Sequence, residues 1–152
     1  LAIFEHALRQ TAEALARAIV RDAEGANKLV DITVEGARSM DEAVLASNAI
    51  ALSPLVKTAI HGEDPNWGRI IAAAGRSGAS LNPHVLTLTI GDVLIYGEGS
   101  WMGLNAEAKA HKVMKGPQYT LTINLGVGQA SRTVTTCDLS ADYVSINADY
   151  RS

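Results

Sequence analysis

The segment from Tyr119 to Leu125 limits the fold more than any other. Tyr119, Leu121, Ile123 and Leu125 alternate with Thr120, Thr122 and Asn124. Successive side chains of a strand point to opposite faces, so this stretch makes a strand with one apolar and one polar face. Val30, Ile32 and Val34 alternate in the same way with Asp31, Thr33 and Glu35. Each strand needs a cover on one side only.

The segments around them supply helices for that cover. Phe4, Leu8, Leu15 and Ile19 recur at helical spacing, which predicts an amphipathic helix over residues 3–23, ending before Gly25. Ser39 with Glu42 forms a capping box, and a helix follows to about Leu52, where Ser53-Pro54 stops it. Asp64-Pro65 suits the N-cap and first position of the next helix, whose buried face is Trp67, Ile70, Ile71 and Ala74 and which Gly75 or Gly78 ends. Strands are predicted at Val85–Ile90 and Asp92–Tyr96 about a Gly91-Asp92 turn, and at residues 131–138. A helix over residues 105–115 stops at Gly116-Pro117. Gly126-Val127-Gly128 reads as a tight turn between strands. From Tyr143 to Tyr150, Val144, Ile146, Ala148 and Tyr150 alternate with Tyr143, Ser145, Asn147 and Asp149, which predicts a final strand and a docked terminus. The order implies an α+β fold, with helices packed on a mixed or antiparallel sheet.

Charge and composition narrow the function. The net charge is −3 and no run of Lys or Arg forms a patch, so neither nucleic acid nor an anionic membrane is a natural partner. With 47% hydrophobic residues the chain can bury a core, yet no stretch reads as a membrane span or a signal peptide. The single cysteine, Cys137, fits a reducing compartment and a buried structural thiol. Leu1 drops straight into a helical pattern, so the chain reads as the later part of something longer.

No P-loop, GxGxxG, HExxH or CxxC motif is present. The four histidines, at 6, 61, 84 and 111, lack metal-ligand spacing; His6 and His111 read as surface positions, and His84 sits at a strand entrance. Three stretches remain as candidates. In GEDPNWGR, Glu63, Asp64, Asn66 and Arg69 could line a pocket, although a capped helix with a core-facing Trp67 accounts for them. In IVRDAEGANK, Arg21, Asp22 and Glu24 gather where a helix ends, and acids there face the negative end of its dipole. In INADYRS, a docked tail would place Asn147, Ser152 and the α-carboxylate at one point.

IVRDAEGANK (19–28), SPLVKTAIHGEDPNWGRI (53–70), TTCDLS (135–140) and YVSINADYRS (143–152) occur in this order. Together they resemble the C-terminal part of the β-chain of ornithine acetyltransferase, also called bifunctional glutamate N-acetyltransferase. That resemblance spans essentially the whole chain. It implies a cytoplasmic enzyme of arginine synthesis that cleaves itself before a threonine. The freed threonine passes an acetyl group from N-acetylornithine to glutamate, as a nucleophile that splits one hard step into two. An oxyanion hole on the α-chain stabilises the intermediate.

Carried over by motif, the substrate contacts fall on Glu24, Asn147 and Ser152. A carboxylate at Glu24 suits a substrate ammonium; donors at Asn147 and Ser152 suit a substrate carboxylate. The nucleophilic threonine falls upstream of Leu1, so no catalytic residue is expected here, and Thr11 lies within a helix. The implied layout is a helix over 1–25 belonging to the upstream nucleophile domain, an α+β domain over 26–139, and a tail over 140–152 returning to the pocket. The implied partners are the α-chain and the upstream part of the β-chain in an αβ hetero-oligomer, with N-acetylornithine, ornithine and glutamate as ligands. Neither metal nor cofactor is implied; acetyl-CoA would enter as a substrate in bifunctional members. The competing reading is an α+β module that binds a small molecule or aids assembly without chemistry of its own.

Overall fold

The computed structural model describes residues 1–149. Its strands are β1 (Leu29–Ala37), β2 (Thr87–Ile90), β3 (Val93–Gly97), β4 (Ser100–Trp101), β5 (Gln118–Asn124) and β6 (Ala130–Cys137). The helices are α1 (Ala2–Arg21), α2 (Met40–Ala51), α3 (Pro54–His61), α4 (Trp67–Gly75), α5 (Gly103–Met114) and α6 (Ala141–Ala148). The strands form one sheet in the order β4-β3-β2-β5-β1-β6, in which only β1 and β5 run parallel. This is the expected α+β class with a mixed sheet.

The alternation fixes which face is covered. Val30, Ile32 and Val34 of β1 and Leu121 and Ile123 of β5 are fully or nearly fully buried. They meet Ala43, Ala46 and Ile50 of α2, Ile70, Ala73 and Ala74 of α4, and Ala110 and Met114 of α5 in one core cluster. Each fully buried Ile or Leu contributes about 1.5–3 kcal/mol. Alanines on α2 let that helix approach β1 and β6 closely. Arg132 of β6 reaches Ser47 Oγ and Asn48 Oδ1 of α2, both at 2.8 Å, so its charge enters the layer hydrogen-bonded.

The opposite face carries Asp31, Thr33, Thr133 and Thr135, and α1 lies beside it. Arg17 bonds Asp31 and the Thr135 hydroxyl, which are cross-strand partners. Otherwise α1 is perched: it buries no residue, and Phe4, Leu8, Leu15 and Ile19 are 58–74% exposed. The predicted amphipathic stripe exists, but among the described residues nothing covers it.

Several expectations are corrected. Residues 141–148 form α6, not a strand. Ser140 caps it by accepting from the Tyr143 N–H, and Asp142 lies in its first turn, two helix-start signals that outweigh a short alternation with no sheet edge beside it. Tyr150, assigned to that strand, lies outside the described residues. Pro54 does stop α2, but it also opens α3, where a proline at the first position loses no hydrogen bond. The cap of α4 is Asn66, whose Oδ1 accepts from the Arg69 N–H, and Asp64 instead accepts from the Asn66 amide. Ser39 caps α2, while Glu42 turns to the N–H and hydroxyl of Ser80 rather than closing a box.

Residues 125–129 are not a turn between adjacent strands. They step over the end of β1, which lies between β5 and β6. Leu125 N–H donates to Glu35 O and Val127 N–H to Gly36 O along the way. The crossing is so close that a Cβ at Gly128 would run into the Ala37 carbonyl.

Candidate functional site

Glu24 lies in the turn between α1 and β1. Gly25, which follows it, has φ +68°, and a Cβ there would stand 2.7 Å from the Tyr143 nitrogen and 2.8 Å from Ser140 Oγ. Only glycine lets the turn take this conformation and sit against the start of α6. The exit of the turn is pinned by Asp138, which follows β6. Its Oδ1 accepts from the N–H of Asn27 at 2.7 Å and of Lys28 at 2.9 Å, and its Oδ2 lies 2.8 Å from His61 Nδ1. Burial works against ionising this carboxyl, but those three contacts and the Asn27 side chain outweigh it and hold it below its ordinary value.

Lys28 anchors the other side. Its ammonium donates to Glu63 Oε1 at 2.7 Å and to the Met114, Lys115 and Gly116 carbonyls at the end of α5. A cation there satisfies carbonyls that the helix leaves open. The same hydrogen bond holds Glu63 below its ordinary pKa against partial burial. Glu63 also gives its carbonyl to His111 Nδ1 at 2.8 Å, so His111 is half-buried and engaged rather than a simple surface histidine. His6 is exposed as expected, His84 is exposed in the loop before β2, and Cys137 is buried. Thr11 spends its hydroxyl on the Ala7 carbonyl within α1. The polar residues of GEDPNWGR are thus taken up in joining elements: Arg69 reaches back to Leu55 O, and Trp67 stacks on Tyr96 with ring centroids 5.3 Å apart.

Two of the three predicted site residues meet. Asn147 Nδ2 donates to Glu24 Oε2 at 3.0 Å, across 123 positions of sequence, and to the Tyr143 carbonyl at 2.9 Å. Both neighbours are acceptors, so the amide orientation is determined and both its hydrogens are committed. What Asn147 presents outward is Oδ1, an acceptor, where the sequence suggested a donor. Ser152 lies outside the described residues. The pair is exposed and stands on open surface. A cavity of about 320 Å³ beside the turn is lined by Arg21, residues 26–29, Pro117 and Gln118, not by Glu24. No group of three or more His, Cys, Asp or Glu among the described residues is placed to hold a metal. No single described helix is long and apolar enough to cross a membrane.

A protein-family model described as the ArgJ family matches residues 1–152. The chain belongs to the ArgJ family. Proteins named arginine biosynthesis bifunctional protein ArgJ from Chlorobium chlorochromatii and Ruegeria pomeroyi are 52% and 47% identical over 99% and 98% of the chain. The chain spans 35% and 36% of their lengths. A crystal structure of the ArgJ protein from Bacillus halodurans superimposes with a TM-score of 0.91 at 39% identity, over 98% of this chain and 70% of that one.

Within this ArgJ chain, sequence reasoning missed Lys28, His61 and Asp138 as parts of one network. The signal for Asp138 was present but weak: an acid directly after a strand, two residues before a serine that caps a helix.

Proposed function

We propose that this chain is the C-terminal part of the β-chain of an ornithine acetyltransferase and supplies part of its amino-acid pocket. The observation that carries this reading is the contact between Glu24 and Asn147. Among the described residues nothing bonds Glu24 Oε1, so it and Asn147 Oδ1 form a pair of acceptors, one charged. Such a pair suits the ammonium of ornithine, N-acetylornithine or glutamate. Ser152, matched by motif, is the third candidate contact of that pocket. The nucleophilic threonine and the oxyanion donors come from the upstream β-chain and the α-chain, within a cytoplasmic αβ hetero-oligomer. There the threonine accepts the acetyl group from N-acetylornithine and yields it to glutamate. The open stripe on α1 supports that assembly, since a helix with this pattern is made to be covered.

The test is Glu24→Gln in the complete protein. The amide keeps the size and one acceptor but loses the charge. Removing a charged hydrogen bond worth about 1.5–3 kcal/mol lowers kcat/KM about 10- to 150-fold. Glu24 is exposed, so Tm stays within about a degree. Unchanged kinetics would instead favour the binding or assembly module without chemistry.

A further inference from the structure

We propose that Asp138 is a positioning residue that sets Glu24 against Asn147. The proposal rests on the pocket reading above and adds what holds that pocket in shape. Asp138 is 4% exposed, and a buried carboxylate is retained at a cost unless its hydrogen bonds repay its desolvation. Two of them go to consecutive backbone N–H groups, at Asn27 and Lys28, which fixes the chain where it leaves the Glu24 turn. Two residues beyond Asp138, Ser140 caps α6, the helix that carries Asn147. Asp138 through Ser140 is therefore a short rigid link with the turn at one end and the helix at the other. Gly25 closes the triangle by lying against Ser140 and Tyr143.

The Leu139 N–H, which donates to Lys57 O at 3.1 Å, steadies the same link. Helix α6 buries no residue fully, so apolar packing holds its place only loosely. Its position depends on its capped end, and the orientation of Asn147 follows from that end. Losing the carboxylate lets turn and helix shift relative to one another. Displacements of about 1 Å at a pocket cost on the order of a hundredfold in rate.

The experiment is a double-mutant cycle in the complete protein, following acetyl transfer from N-acetylornithine to glutamate, with Tm on every variant. Asp138→Ala removes both backbone contacts and lowers kcat/KM about tenfold or more. Asp138→Asn, which still accepts from both N–H groups, restores most of it. In the Glu24→Gln background, Asp138→Ala costs less than about threefold, because the group it positions has already lost its charge. Multiplicative effects in the cycle, or an Asp138→Asn as impaired as the alanine, overturn the positioning role while leaving the Glu24 result standing. A silent Glu24→Gln overturns the pocket reading and this proposal together. Should Asp138→Ala not fold, Ser140→Ala, which frays α6 from its cap, takes its place in the same cycle and is read by the same criterion.

Discussion

At the scale of the residue, Asp138 links site and stability through pH. Its carboxyl is held below its ordinary value of 3.8 in the folded chain, against the pull of burial. The stability this contributes is present above the unfolded value and is lost as pH falls below it towards the folded one. Between neutral pH and about pH 5 the contribution is constant. Acid melting of Asp138→Asn should therefore be less steep below pH 4 than that of the parent chain. It should not be flat, because Glu63 is likewise held below its ordinary value, by its hydrogen bond to Lys28, and its contribution is also lost on acidification. Parallel melting curves for the two proteins from pH 5 to pH 2.5 would show that the Asp138 contacts contribute nothing on folding.

At the scale of the element, α1 and α6 differ from the other helices because neither buries a residue. Leu8→Ser tests α1. In this chain alone the substitution should leave Tm within about a degree, since Leu8 is 58% exposed. In the complete protein, with the stripe covered, it should cost about 1.5–3 kcal/mol and several degrees of Tm. Equal melting shifts in the two settings would remove the idea of a covered face. These same elements explain where sequence reading stopped. The strands Val30–Glu35 and Tyr119–Leu125 were legible because burial on one face writes itself as alternation. Helix α6 was not, because its apolar residues Val144, Ile146 and Ala148 stand two apart, a spacing that mimicked a strand. Helix α3 was hidden by a proline that both ends one helix and begins the next. Glu24 and Asn147 were visible through shared motifs, whereas Lys28, His61 and Asp138 take partners far along the chain that no local pattern encodes.

At the scale of the whole molecule, the chain holds a complete core but an open site. The purified chain should form no N-acetylglutamate from N-acetylornithine and glutamate, and turnover by it would overturn the division of labour proposed above. The crossing of residues 125–129 over β1 has a kinetic consequence as well. β1 is the strand made first, yet both of its neighbours are made last; its Thr33 pairs with Thr133, 100 positions away. During synthesis α2, α3 and α4 emerge with apolar faces and no sheet to receive them. β1 cannot be laid in until β5 and β6 have left the ribosome, when the crossing segment closes over its end. Such a topology folds late and slowly, after a long loop has been closed. A growing chain of this kind depends on being shielded until its last strand arrives.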